Sequence, residues 1–108
     1  MSRKKAAPKR YPALPKVLHL AGGDVTIATQ REVIKAEDGD VCNGLYDHER
    51  RHIVIDAKLP KAHQWRTLYH ELFHVAVLDS GLDNGLDHRM HEALADAVAT
   101  SRLRERFG

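Results

Sequence analysis

Two histidines spaced four residues apart, with a glutamate directly after the first, are the side chains of this sequence best suited to chemistry. The stretch TLYHELFHVAV, residues 67–77, contains His70, Glu71 and His74. On an α-helix, residues i and i+4 lie one turn apart on the same face, so both imidazoles can bind one metal ion. Glu71 would lie beside that ion, where its carboxylate can accept a proton from a water molecule that the metal activates. The pattern indicates metal-assisted hydrolysis of an amide bond, and the alternative is a helix with two solvated or core-satisfied histidines.

A third metal ligand decides between these two interpretations, and a downstream segment offers one. The stretch HEALADAVA, residues 91–99, contains Glu92 and, one helical turn later, Asp96. Glu92 would complete a His₂Glu zinc site. Asp96 can accept a hydrogen bond from the ring N–H of a ligating histidine and so fix its tautomer. Ala95 and Ala99 are small enough to let this segment approach the histidine helix closely.

Other side chains near Glu92 in the sequence compete for these roles. His88, His91 and Asp87 are rival candidates for the third ligand. His88 or His91 can instead donate a hydrogen bond to the oxyanion that forms during hydrolysis. The metzincin pattern needs glycine at position 77 and histidine at position 80, and it is excluded because those positions hold valine and serine.

The histidine pair lies in a segment with strong helical patterning. Residues 61–79 contain neither glycine nor proline, and Gly81 follows as a candidate C-cap. The predicted apolar stripe of this helix consists of Trp65, Leu68, Leu72 and Val75. A second helix is predicted from about His88 to Arg106, with Met90, Leu94, Val98 and Ser101 on one stripe. The two helices would carry all of the candidate site residues.

The first half of the chain has strand patterning instead. Val25 and Ile27 alternate with small or polar residues, which is typical of a strand with one buried face. Leu45 and Tyr46, a polar turn at 47–51 and the apolar run 53–55 predict a β-hairpin. We therefore predict an α+β fold, with a small antiparallel sheet of about three strands packed on an active-site helix and a C-terminal helix.

The length of 108 residues predicts a single domain, which we place at residues 16–108. Residues 1–15 form a basic, proline-containing segment that we expect to be flexible. Basic side chains in residues 3–16 suggest weak nucleic-acid binding as a minor alternative: Arg3, Lys4, Lys5, Lys9, Arg10 and Lys16. A single cysteine, Cys42, and the lack of a long apolar run predict a cytoplasmic protein that does not associate with membranes.

Three stretches together resemble the ImmA/IrrE metallopeptidases, a gluzincin-like family found in many phages and mobile elements. They are GLYDHERRHIVIDAKLP at residues 44–60, TLYHELFHVAV at 67–77 and EALADAVA at 92–99. The resemblance covers about residues 24–100. The two-histidine motif also occurs in unrelated zinc proteases, so the strand pattern before it makes the match specific.

This resemblance implies a zincin-like fold, with zinc held by His70, His74 and Glu92, and with Glu71 as general base. It also implies an endopeptidase that cleaves a protein substrate such as a transcriptional regulator or repressor. The chain has no fused helix-turn-helix, so a DNA-binding repressor would be a separate partner. Phe73 stands where the family usually has a small residue, which predicts either a narrower cleft or a protein that depends on a partner. The alternative is a zinc-stabilised protein-binding or regulatory module with little or no turnover.

Overall fold

The computed structural model describes residues 11–81 and 87–107, and this part of the chain has an α+β fold. The elements in chain order are β1 (Val17–Leu20), β2 (Gly23–Gln30), β3 (Ile34–Lys35), β4 (Val41–Cys42), β5 (Gly44–Asp47), β6 (His52–Asp56), α1 (Lys61–Ser80) and α2 (His88–Phe107). The predicted fold class is therefore confirmed.

The strands form a larger and more mixed sheet than the sequence predicted. Four strands pair in the order β1-β2-β6-β5, and β3 and β4 form a separate two-stranded sheet. The hairpin of β5 and β6 is antiparallel as expected, but β2 and β6 are parallel, with Ile27 beside Ile53. The prediction of about three antiparallel strands was wrong because the chain between β2 and β6 is long enough to cross over and return in the same direction.

The core lies between the sheet and one face of α1. Alternation along β2 and β6 directs every second side chain towards the helix. The buried core residues are Val25, Ile27, Ile53, Ile55, Trp65, Leu68 and Val75. Tyr11 and Leu14 pack against this core, and the indole N–H of Trp65 donates to the carbonyl of Pro12 at 2.8 Å. Residues 11–15 therefore run along the domain, while residues 1–10 lie outside the described part of the chain.

Local contacts define both ends of α1. The side-chain amide of Gln64 donates to the carbonyl of Leu59 at 2.9 Å and holds the loop that enters the helix. Gly81 adopts a left-handed conformation with φ of 78°, which ends the helix as predicted. Neither α1 nor α2 is long and apolar enough to cross a membrane.

The inner face of α2 is built from alanines. Ala95 and Ala99 are fully buried, whereas Met90 and Leu94 on the predicted apolar stripe are 52% and 42% exposed. Small side chains at a helix contact let two backbones approach closely. The face of α2 that meets the rest of the fold is therefore the one that also carries Glu92 and Asp96.

An ion pair fixes the C-terminal end of α1 over the sheet. The guanidinium of Arg51, in the β5–β6 turn, donates to both carboxylate oxygens of Asp79 at 2.8 and 3.0 Å. It also donates to the carbonyl of Gly23 at 3.0 Å. This contact ties the hairpin, β2 and the histidine helix to one another.

Candidate metal centre

The two helices face each other with their polar residues aligned. Three successive contacts join them: Arg66 to Thr100, His70 to Asp96, and His74 to His91. The residue number rises along α1 while it falls along α2, so the helices are antiparallel. This arrangement brings the histidine face of α1 against the acidic face of α2.

Three side chains direct potential ligand atoms at one point between the helices. The Nε2 atoms of His70 and His74 are 3.1 Å apart. One carboxylate oxygen of Glu92 lies 3.2 Å from the Nε2 of His70, and the other lies 3.1 Å from that of His74. Ligand atoms placed tetrahedrally at about 2.1 Å from a zinc ion are about 3.4 Å from one another. The donor types and their spacing therefore fit a small tetrahedral metal ion.

Two carboxylates compete for the position of third ligand. Ligand atoms of His70, Glu71 and His74 lie within 4.8 Å of one another, so this group can hold a metal ion. Glu92 approaches both imidazoles more closely and keeps 40% of its side chain exposed. Glu71 is only 7% exposed. The distances favour Glu92 as the ligand and leave Glu71 next to the ion.

The buried position of Glu71 changes its acidity. Removal of the carboxylate from water raises its pKa from 4.5 to about 7, and the nearby charge of Glu92 adds to the rise while His70 opposes it. A carboxyl group with a pKa near 7 can take up and release a proton at neutral pH. This property suits a general base better than a permanently ionised carboxylate does.

His70 and His74 each use their second ring nitrogen for a hydrogen bond. The Nδ1 of His70 lies 2.8 Å from a carboxylate oxygen of Asp96, and the Nδ1 of His74 lies 3.0 Å from the Nε2 of His91. Burial lowers the pKa of His74 to about 4, with His70 and His91 adding to the effect and Glu92 opposing it. Imidazole must be neutral to bind a metal, so His74 is in the required form at neutral pH.

The site opens into a cleft of about 620 Å³ between the sheet and the helices. Its walls include Cys42, Gly44, Leu45 and Tyr46 on the strand side, and His70, Glu71, His74 and Glu92 on the helix side. A Cβ atom on Gly44 would lie 2.6 Å from Cγ2 of Thr67 and 3.2 Å from the carbonyl oxygen of Val54. Glycine at this position therefore lets β5 lie directly against α1.

The remaining predicted site residues are also near the cleft. His88 is exposed at the start of α2 and lines the cleft together with His91. Phe73 lies outside the lining of the cleft, and its ring packs 5.7 Å from that of His91. Phe73 therefore does not narrow the cleft in the way the family pattern predicted. The contact of Gly44 with α1 was not predicted, since its signal in the sequence was no more than a glycine at a strand start.

Comparison with known proteins identifies no relative of this chain. No protein-family model, curated protein or solved structure matches the chain. The ImmA/IrrE resemblance stays a prediction from the sequence motifs, and the case for a metal centre rests on the described side chains themselves.

Proposed function

We propose that this protein is a zinc-dependent endopeptidase that hydrolyses a peptide bond in a protein substrate. The observation that carries the proposal is the convergence of two imidazole Nε2 atoms and the Glu92 carboxylate within 3.2 Å of one another. A buried glutamate directly follows one of the two histidines in sequence, and the group opens into a cleft. Metal sites with two histidines and one carboxylate leave a fourth position for water or substrate.

Zinc suits this set of donors better than calcium or magnesium does. Calcium and magnesium prefer sites made of oxygen atoms, whereas two imidazoles select a transition metal. His₂Glu sites with an open position are typical of zinc peptidases. His70, His74 and Glu92 would hold the ion in the space that their ligand atoms already surround.

Bound zinc would polarise the scissile carbonyl group and lower the pKa of a water molecule. Glu71 accepts a proton from the attacking water at its carboxylate and then gives it to the leaving amine nitrogen. The Glu71 carboxylate lines the cleft beside the two histidines, so it is placed to take the proton from water and to return it to the amine. Asp96 holds His70 in the tautomer that presents a free Nε2.

The substrate would lie along β5. In the sheet formed by the described residues, β5 is an edge strand, and it borders the cleft through Gly44, Leu45 and Tyr46. The outer edge of such a strand carries backbone N–H and C=O groups that can pair with an extended peptide. A peptide added to this edge would pass the metal centre in an extended form, with its scissile bond facing α1.

The nature of the substrate and partners is inferred from the resemblance to the ImmA/IrrE family. On that basis the architecture is zincin-like, the protein acts in the cytoplasm, and its substrate is a transcriptional regulator such as a separate DNA-binding repressor. Nucleic-acid binding through residues 3–16 stays a minor alternative, since most of that segment lies outside the described residues.

Cleavage by the zinc-loaded protein, compared with its Glu71→Gln variant, tests this proposal. A peptide library prepared from a whole proteome replaces the unknown substrate, and mass spectrometry reads the newly formed N-termini. We expect Glu71→Gln to cleave about 10²–10⁴ times more slowly, because glutamine keeps the size of the side chain but cannot accept the proton. Glu49→Gln, at an exposed turn position, serves as the matched control. Equal cleavage by the parent and Glu71→Gln would contradict the mechanism. A parent that binds zinc without cleaving would favour the binding module.

A further inference from the structure

The two proposed histidine ligands have chemically different partners on α2. His70 faces a carboxylate, Asp96, whereas His74 faces a third imidazole, His91. Both contacts involve Nδ1, the ring nitrogen that does not point to the proposed metal position. The Nδ1 of His74 lies 3.0 Å from the Nε2 of His91, and the two ring centroids are 4.5 Å apart.

The protonation states follow from this geometry and from the proposed zinc site. A histidine that binds a metal through Nε2 carries its hydrogen on Nδ1. The Nδ1–H of His74 therefore donates, and the Nε2 of His91 must accept. An imidazole nitrogen accepts only when it has no hydrogen, so His91 is neutral and carries its own hydrogen on Nδ1.

The surroundings of His91 keep its ring in this position. The ring of Phe73 packs against His91 at a centroid distance of 5.7 Å and an interplanar angle of 61°, and against His74 at 6.4 Å. The backbone N–H of His91 donates to the carbonyl of Asp87 at 3.0 Å, which anchors the first turn of α2. The phenylalanine that departs from the family pattern thus supports the imidazole contact.

We propose that His91 is a positioning residue of the metal centre, which accepts the Nδ1–H of His74 and fixes the ring of that ligand for zinc. This role rests on the proposed zinc site and differs from the oxyanion role that the sequence suggested. His91 provides the hydrogen bond without adding a negative charge. The centre then has one anionic partner, Asp96, and one neutral partner, so the ion keeps more of its positive charge than it would with two carboxylates.

The role of His91 is tested by the zinc affinities of four proteins. Each affinity is measured by competition with a chromophoric chelator. His91→Phe keeps a ring but has no acceptor, and we expect it to bind zinc about 10- to 100-fold more weakly than the parent. His91→Gln restores an acceptor oxygen at a similar reach, so its affinity should return to within a few-fold of the parent. His63→Phe changes an exposed histidine of α1 that lies outside the lining of the cleft, and it should bind zinc as the parent does.

Nitrogen NMR of the zinc-loaded parent gives a second reading that general destabilisation would not produce. Long-range ¹H–¹⁵N spectra should show His74 protonated at Nδ1 and His91 unprotonated at Nε2. The proposal is overturned if His91 is protonated at Nε2, if His91→Phe keeps the parent affinity, or if His91→Gln loses as much affinity as His91→Phe. A parent that binds no zinc would refute the proposed function itself. A parent that binds and cleaves normally alongside an unaffected His91→Phe would refute only the role of His91.

Discussion

The buried carboxyl group of Glu71 should make the metal-free protein less stable as the pH rises. A pKa raised from 4.5 to about 7 corresponds to about 3 kcal/mol, because one pKa unit is equivalent to about 1.4 kcal/mol. The folded protein holds the proton at pH values where the unfolded chain has lost it. Stability from this group is therefore complete below about pH 4.5 and is lost as the pH rises through about 7.

The substitution Glu71→Gln isolates this effect. Glutamine stays neutral at every pH, so the variant should gain up to about 3 kcal/mol over the parent between pH 5 and pH 8.5. His74 has the opposite dependence: its lowered pKa costs stability as the pH falls from 6.5 towards 4. Because both proteins contain His74, its contribution cancels in the difference between them.

Urea denaturation in the presence of a chelator, at pH 5 and at pH 8.5, measures the difference. The core formed by the sheet and the opposite face of α1 contains none of the proposed metal ligands, so we expect the unfolding transition to remain measurable without zinc. Glu105→Gln removes a carboxylate from an exposed position of α2 and serves as the control. It changes the net charge as Glu71→Gln does, so any larger effect of Glu71→Gln comes from the burial of Glu71. If the difference in free energy of unfolding between Glu71→Gln and the parent is the same at both pH values, Glu71 is not desolvated in the fold.

Three further outcomes are expected. Removing zinc with a chelator should lower the Tm by on the order of 20 °C when free zinc had been at about 1,000 times its Kd, because such binding stabilises the fold by about 4 kcal/mol; an unchanged melting curve would show that zinc does not bind the folded state. Asp96→Ala should weaken zinc binding by about 10- to 100-fold in a competition titration, since His70 loses its acceptor; unchanged affinity would mean that this contact does not orient the ligand. Gly44→Ala should lower the free energy of unfolding, measured in urea, by about 1–3 kcal/mol. Adding Thr67→Ser removes the methyl group that the new Cβ would clash with, so it should recover part of the loss. If the double variant recovers nothing, the clash with Thr67 is not the cause of the destabilisation.

The sequence was most informative where structure depends on neighbours in the chain. The apolar stripe of α1 and its glycine end were predictable because helical periodicity and capping are local properties. The contact of His70 with Asp96 could also be predicted. The i, i+4 spacing puts His70 and His74 on one face of α1 and Glu92 and Asp96 on one face of α2, and a metal site with two histidines needs an acidic partner. In each case a few residues within one or two turns carry the information.

The features that sequence patterns missed depend on how distant segments dock. The parallel pairing of β2 with β6 and the ion pair of Arg51 with Asp79 join residues far apart in the chain. The sequence suggested His91 as a rival ligand or as an oxyanion donor, and it did not indicate the contact of His91 with the Nδ1 of His74. This contact depends on how the two antiparallel helices dock, which brings His70 and His74 against different turns of α2.

The identity of the third ligand is the central claim, and zinc titration of two glutamine variants tests it most directly. Glu92→Gln and Glu71→Gln each remove one of the carboxylates that lie near the two imidazoles. We expect the parent and Glu71→Gln to bind one zinc ion with similar affinity, and Glu92→Gln to bind it far more weakly, because only Glu92 contacts both Nε2 atoms. Full affinity in Glu92→Gln together with loss of zinc in Glu71→Gln would contradict this account and make Glu71 the ligand.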